Sequence, residues 1–544
     1  MKLFVRCLIT GLLLSFVFRT DSFFIGRGID PDEGLAQLQG RALCEGFLPY
    51  TKYFEHRQPL MYANFAAAQL LFGERVVSCR IWVAILVGLT ATFVGLIVRE
   101  LVRDTRAAIA AMFIIAFCST ATTGTTAVSE LLVVPWTSLA VLLALLAPGQ
   151  RGMRQLSLAV LAGLAIGTAS MVKLLAAFDF PVLLCALVIA GKRSGMPISI
   201  QIRLALVMLA SAFVPTGIVG GIYGLSGHWD VFVYSCFTYN RLYAGAVTFY
   251  PALLFTFLKG IALSFIVVWP FALLGLLRGR CPTLGPARCL AVIWFATALA
   301  SACITRRYFP HYMLMLLPPV GLIAGFGWHS LRHFKPGPRL AGIGLISLVA
   351  AVAVVNRGLT FDRQLDEQRD SVILEQRIAR HVKPGDVTFF ANNDPVLYFV
   401  TRTEPATRFL FPTWLGDPNW RAALGIDMEE EFKSVLGRAP SLVVLRPTKG
   451  GWEDDAIATF ERMMRPKYQP IRRSSRVVFF TPRKAATQPS SSESTVKPGS
   501  WKEPGVPAPP STQGLEARDT RSHRSSHKEA TKRRRSRPSP AVYQ

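Results

Sequence analysis

Eleven apolar runs of 16 to 24 residues, near the ~20 needed to cross a hydrocarbon layer of ~30 Å at about 1.5 Å per residue, recur within the first 356 residues. They fall near residues 3–18, 76–98, 107–123, 127–147, 156–172, 174–190, 204–224, 254–277, 289–304, 312–328 and 340–356. A bilayer offers no partner to a free backbone amide, so such runs commit the chain to spanning helices. With 51% hydrophobic and 17% charged residues, the composition is that of a polytopic membrane protein followed by something soluble. The first run starts after Lys2 and Arg6 and meets no small-residue cleavage site, which reads as an uncleaved helix rather than a signal peptide.

Basic residues in short loops favour the cytoplasmic side. With the N-terminus inside, the inner loops carry Arg99, Arg103 and Arg106, then Arg151 and Arg154, then Lys192, Arg193 and Arg203, then Arg278, Arg280 and Arg288, then Arg332, Lys335 and Arg339. The first loop (19–75), the loop 225–253 and everything after Arg357 then lie outside, which in a bacterium means the periplasmic face of the inner (plasma) membrane. Arg306 and Arg307 break this pattern. Guanidinium groups on the disfavoured side suggest an anionic ligand, since they bind phosphate oxygens bidentately; snorkelling to lipid headgroups is the alternative.

The first loop concentrates acids: Asp30-Pro31-Asp32-Glu33, then Tyr53-Phe54-Glu55-His56-Arg57-Gln58-Pro59. Carboxylates pressed against a bilayer surface are costly to desolvate, so a chain that gathers them there is expected to use them. The alternative is a solvated loop.

An acidic pair after the first helix (Asp32-Glu33-Gly34), a Gly-x-x-Pro-Tyr turn (Gly46 to Tyr50), an aromatic-aromatic-acid cluster before Pro59, and Leu71-Phe72-Gly73 with Arg80 beyond resemble the GT-C fold glycosyltransferases. Within them the chain is most similar to the protein O-mannosyltransferase-like group, which includes the lipid A aminoarabinose transferases. Ser129-Glu130-Leu131 stands where this family often carries a second acid near the outer surface. Lys173 closes a glycine-rich helix as the family's lysine does, and His311-Tyr312 before Pro318-Pro319 resembles a recurring His-Tyr pattern ahead of a broken helix.

The resemblance implies transfer of a sugar from a polyprenyl phosphate or pyrophosphate carrier to an acceptor, with inversion at the anomeric carbon. Such chemistry needs a base for the acceptor hydroxyl and positive charge for the departing phosphate. Asp32 matches the family's catalytic aspartate; Asp30, two residues earlier, is the alternative, and Glu33 and Glu130 complete the candidate catalytic acids. Arg57, Lys173, Arg306 and Arg307 are the candidate phosphate-binding residues. Glu55 matches an acid that in relatives helps hold a divalent metal, and His56 beside it is a candidate ligand for Zn²⁺ or Mn²⁺, with Mg²⁺ the third choice. Many relatives have Lys-Pro-Pro here; Arg57 and Gln58 depart from that pattern. Glu130 has a structural alternative too, since a carboxylate at a helix N-terminus gains roughly 0.3–1 kcal/mol from the helix dipole.

After Arg357 the composition becomes that of a soluble domain. A helix over 367–382, a strand over 387–390, a helix over 428–436 and a strand over 441–445 suggest a small α/β lobe spanning 357–482. It lacks Gly-x-Gly-x-x-Gly, so nucleotide binding has no support. Asn392, Asp394 and Arg408 read as turn and surface residues. Residues 483–544 hold 13 Lys and Arg against 5 Asp and Glu, with almost no apolar residues. Such a tail is expected to be disordered and drawn to anionic lipid or cell-wall polymer; outside the cell it has no nucleic acid to meet. The nine cysteines show no metal or disulfide spacing, and only Cys44 and Cys236 are placed to see an oxidising compartment.

The fold class is thus a GT-C type membrane protein of about eleven helices (1–356), an extracytoplasmic α/β lobe and a disordered basic tail. A transporter or flippase would also need many helices and intramembrane charge, but it commonly shows repeats or symmetrically interrupted helices, and none is evident. A non-catalytic relative would tend to lose the acids, and here they remain.

Overall fold

The computed structural model describes residues 2–24, 30–121, 123–245, 250–272, 285–331, 369–447, 451–473 and 477–483, with Phe334, Gly337, Gly344, Val352 and Val354. The expected run 340–356 and the basic tail lie essentially outside these residues. Among the described residues, seven helices are long and apolar enough to cross a membrane. An eighth span arises if Pro251–Ser264 and Ile266–Ala272, bent by 58°, count as one. Of the eleven runs expected, seven or eight are thus found as spans among the described residues. The first run forms a 17-residue helix, Lys2–Phe18, and the third a 14-residue helix, Thr105–Cys118, both shorter than an ordinary span. The chain remains a multi-pass helical membrane protein.

Local chemistry sets the helix ends near the first loop. Asp30 caps the helix Pro31–Cys44 by accepting the Asp32 amide at 3.0 Å, and Pro31 occupies the first turn, where no amide is needed. Pro59 likewise opens the helix Pro59–Phe72, which stops at Gly73, whose φ of 85° suits glycine. The two helices pack against each other at Gly40, where an added Cβ would lie 2.8 Å from the Phe65 Cβ. Among the spans, Gly163 and Gly167 allow Gly152–Val172 to approach Ile198–Leu225 closely: a Cβ at Gly167 would sit 2.1 Å from the Ala212 carbonyl oxygen.

The C-terminal lobe has a five-stranded mixed sheet in the order β2-β1-β3-β5-β4. Its strands are β1 (Val387–Ala391), β2 (Glu404–Pro405), β3 (Leu442–Leu445), β4 (Tyr468–Arg473) and β5 (Val478–Pro482). β1 runs parallel to β2 and β3, while β5 is antiparallel to β3 and β4. Alternation along the strands divides the lobe's core in two. Phe389, Val443 and Phe480 pack with Phe432 and Phe460 of the helices Met428–Gly437 and Asp454–Met464. Phe390, Val444 and Phe479 share a core with Leu35, Leu38 and Phe54 of the first loop.

That shared core seats the lobe on the loop. Arg41 lies over the Phe399 ring and donates to the Phe399 carbonyl at 2.5 Å, the Phe54 amide donates to the Arg408 carbonyl at 3.0 Å, and Phe54 meets Trp414 edge-on. The expectation that Asn392 and Arg408 are surface residues is overturned. Asn392 does sit in a turn, at φ 55°, but it is buried and bonded to the Arg446 carbonyl and the Trp452 amide. Arg408 donates to the Tyr50 carbonyl beneath the lobe at 3.2 Å.

Candidate active site

The helix that begins at Asp30 sends its two acids in different directions. Glu33, 3% exposed, forms a two-pronged pair with Arg80, 1% exposed: Nε to Oε1 at 3.0 Å and Nη2 to Oε2 at 2.7 Å. The Ala127 amide adds a bond to Glu33, and Arg80 also donates to the Ser22 carbonyl. Asp32 faces the other way and meets Arg57 at 2.6 Å, with the two side chains about one fifth exposed, 20% and 22%.

Arg57 is held by its neighbours. Its other nitrogen donates to Glu55 at 2.7 Å, the Tyr50 hydroxyl donates to its carbonyl, and the buried Tyr62 lies on the adjoining helix. Asn240 donates to the His56 carbonyl at 2.8 Å from the end of a π-turn, Tyr234–Thr238, a distortion found frequently at functional sites. Gln58, a departure from the family pattern, acts as a clamp. Its Nε2 donates to the Cys236 carbonyl at 3.3 Å, and its Oε1 accepts the Leu174 amide at 3.1 Å. The second bond joins the loop bearing Arg57 to the residue following Lys173.

Lys173 pairs with the fully buried Glu130 and lies over the Tyr312 ring at 4.1 Å. The Ser129 hydroxyl donates to Glu130 at 3.1 Å, and His311 Nε2 stands 4.0 Å from the same carboxylate. The structure thus assembles two ion pairs, Asp32–Arg57 and Glu130–Lys173, across a junction tied by Gln58. Two of its participants, Gln58 and His311, escaped the candidate set. His311 carried a sequence signal in its His-Tyr pattern; Gln58 carried none beyond its departure from proline.

The remaining candidates lie elsewhere or serve differently. Asp30 is bound into the helix cap, with Thr126 donating to its other oxygen at 3.4 Å. Burial, then the charges of Asp32 and Glu33, push its carboxyl up to about 8. Arg306 is exposed at φ 55°, and the Arg307 guanidinium lies over the Trp420 ring of the lobe at 5.1 Å. Cys44 and Cys236 are both free, and the buried Cys236 thiol lies 3.3 Å from the Tyr50 hydroxyl.

The residues expected to hold a metal do not fit one. Glu55 Oε1 is engaged by both the ring and the amide of His56, at 3.0 and 2.9 Å, and Oε2 by Arg57. Burial opposes ionisation of Glu55, but Arg57 and His56 outweigh it and hold the carboxyl down at about 2. A carboxylate with both oxygens spent on its own neighbours, in a chain with no group of three His, Cys, Asp or Glu side chains arranged for a metal among the described residues, is an internal pair rather than a metal centre.

Residues 47–231 match the family model described as dolichyl-phosphate-mannose-protein mannosyltransferase. Among solved structures, ArnT from Cupriavidus metallidurans bound to undecaprenyl phosphate is 15% identical and superposes with a TM-score of 0.59, covering 89% of this chain and 99% of that one. The apo form of the same ArnT superposes with a TM-score of 0.56 at the same identity and coverage. A search of curated proteins returns no match. The chain shares the fold of that ArnT, and the matched family segment contains Glu55, Arg57, Glu130 and Lys173.

Proposed function

We propose that this protein is a membrane glycosyltransferase that moves a sugar from a polyprenyl-phosphate carrier to an acceptor hydroxyl at the extracytoplasmic face. One observation carries the reading. Two cations from different elements, Arg57 and Lys173, are clamped to the same junction by Gln58, each resting on a carboxylate. A carrier phosphate is the ligand chemistry that suits such a pair, because its oxygens replace carboxylate oxygens with little rearrangement of the cations. The ArnT structure with undecaprenyl phosphate and the family match support that choice of anion.

In this reading the phosphate draws Arg57 away from Asp32, which is then free to take the acceptor's proton. The acceptor oxygen attacks the anomeric carbon from the side opposite the phosphate, the bond between that carbon and the phosphate oxygen breaks, and configuration inverts. Arg57 and Lys173 stabilise the negative charge that collects on the leaving phosphate. Asp30 and Glu33 hold the helix that presents Asp32. Arg306 and Arg307 sit where a headgroup or the lobe engages them. The N-terminus is cytoplasmic, and the lobe (357–482) sits over the first loop on the outer face, where it bears on acceptor choice; the tail (483–544) meets anionic envelope components.

The test uses purified full-length protein with a panel of polyprenyl-phosphate sugars in the presence of acceptor hydroxyls of each class (lipid, protein and glycan, with water as the default), measuring release of free carrier phosphate with and without chelator. Wild type is expected to release carrier from one donor, and Asp32→Asn to lose roughly 10²–10⁴-fold in rate. Failure of every donor refutes the donor class; undiminished release by Asp32→Asn refutes the base.

A further inference from the structure

We propose that His311 makes binding of the carrier phosphate proton-linked, by taking a proton when the phosphate competes for the cations that neutralise Glu130 and Asp32. This rests on the reading of Arg57 and Lys173 as the phosphate site. His311 lies at the start of the segment Pro310–Leu331, with Phe309 and Tyr312 against its ring. The charged groups whose fields reach it come from several elements: Glu130 at the head of Ser129–Gly149, Lys173 between two spans, and Asp32 and Arg57 from the first loop.

The argument is one of charge. Asp32, Glu55 and Glu130 face Arg57 and Lys173, so the carboxylates already outnumber the permanent cations in this cluster. An arriving phosphate adds negative charge to the same two cations. Lys173 has three donors and can remain on Glu130 while reaching a phosphate oxygen, but one charge then serves two anions. Glu130 is fully buried, and an undercompensated buried carboxylate is costly. His56 is already committed to Glu55. His311 Nε2, 4.0 Å from Glu130, is placed to supply the missing charge, since an imidazole beside a carboxylate can gain that charge by taking up one proton. His311 is on this account a positioning residue, holding Glu130 while Lys173 turns to the substrate.

A single proton taken up on binding makes affinity fall by up to about tenfold per pH unit as pH rises above the free histidine's value. The experiment is calorimetry of polyprenyl-phosphate binding to full-length protein in two buffers of different ionisation enthalpy near pH 7.5, which counts protons. Wild type is expected to take up roughly one proton more than His311→Gln, and Glu130→Gln, which removes the charge needing compensation, is expected to behave like His311→Gln. The free probe's own protonation is common to all three proteins. Equal proton uptake by wild type and either variant, with binding retained, overturns the role of His311. Absence of binding by wild type at any pH instead refutes the phosphate site itself and this inference with it. If His311→Gln does not fold, Glu130→Gln decides.

Discussion

Asp32 and Glu33 are adjacent in the chain and belong to different regions of the molecule, a locked floor and an exchangeable mouth. In the floor, Glu33 and Arg80 are bonded through both carboxylate oxygens and tied further to Ala127 and Ser22, with almost no solvent access. In the mouth, Asp32 shares Arg57 with Glu55 and stays partly exposed. The contrast lies in how freely the charges can exchange: a pair whose every oxygen is fixed cannot trade partners, whereas a guanidinium divided between two carboxylates can accept a third anion.

The comparison breaks most visibly at the floor. Arg80→Ala leaves Glu33 buried without its partner and is expected to cost ~3–5 kcal/mol, read as a loss of folded protein and a large fall in Tm in detergent. Joint replacement of the pair, Glu33→Gln with Arg80→Met, is expected to recover part of that loss; a single variant as stable as wild type would make the floor no more than another surface pair. At the mouth the expected loss is in function. Arg57→Lys keeps the charge but loses the two-pronged grip, so the KM for the lipid-linked donor should rise roughly tenfold with Tm little changed, because a lysine ammonium still neutralises the buried Glu55. A fall in Tm comparable to that of Arg80→Ala would erase the distinction between the two regions.

The smallest effect sharpens the boundary between them. Asp30 caps the helix that carries both acids, so Asp30→Ala is expected to cost ~1 kcal/mol and Asp30→Asn, which keeps an accepting oxygen, much less. Its carboxyl binds a proton more tightly in the folded protein, at about 8, than its ordinary value of 3.8. The folded state therefore holds more protons between these values, and wild type loses stability as pH rises through that window. Asp30→Asn should flatten the decline between about pH 4 and 8 in thermal unfolding. If Asp30→Asn instead abolishes transfer, Asp30 and not Asp32 is the base.

Much of this arrangement was legible before any coordinates. Apolar runs reveal spanning helices because a bilayer tolerates little else; among the described residues seven of the eleven runs form such helices, one forms a bent pair, and two form helices of 17 and 14 residues. In the lobe, β1 and β3 were readable from short apolar runs beside turns. β2 has two residues, and β4 presents exposed side chains along all but its first position, so neither carries an alternating pattern. The cluster Asp30 to Glu33 and the Glu55-His56-Arg57 run announced the acidic loop, but not which acid faces which way.

Composition and order along the chain determined that this protein crosses a membrane many times, gathers carboxylates in its first loop and ends its helical part with an α/β lobe. Only the tertiary structure decided that Glu33 belongs to the floor and Asp32 to the mouth, that Gln58 joins Arg57's loop to the neighbour of Lys173, and that His311 stands beside Glu130. The reason is physical. Apolar patterning and capping act over a few neighbouring residues, whereas the pairing of a buried charge depends on what the folded chain brings within about 4 Å, and Glu33–Arg80, Glu130–Lys173 and Glu130–His311 join positions 43 to 181 residues apart.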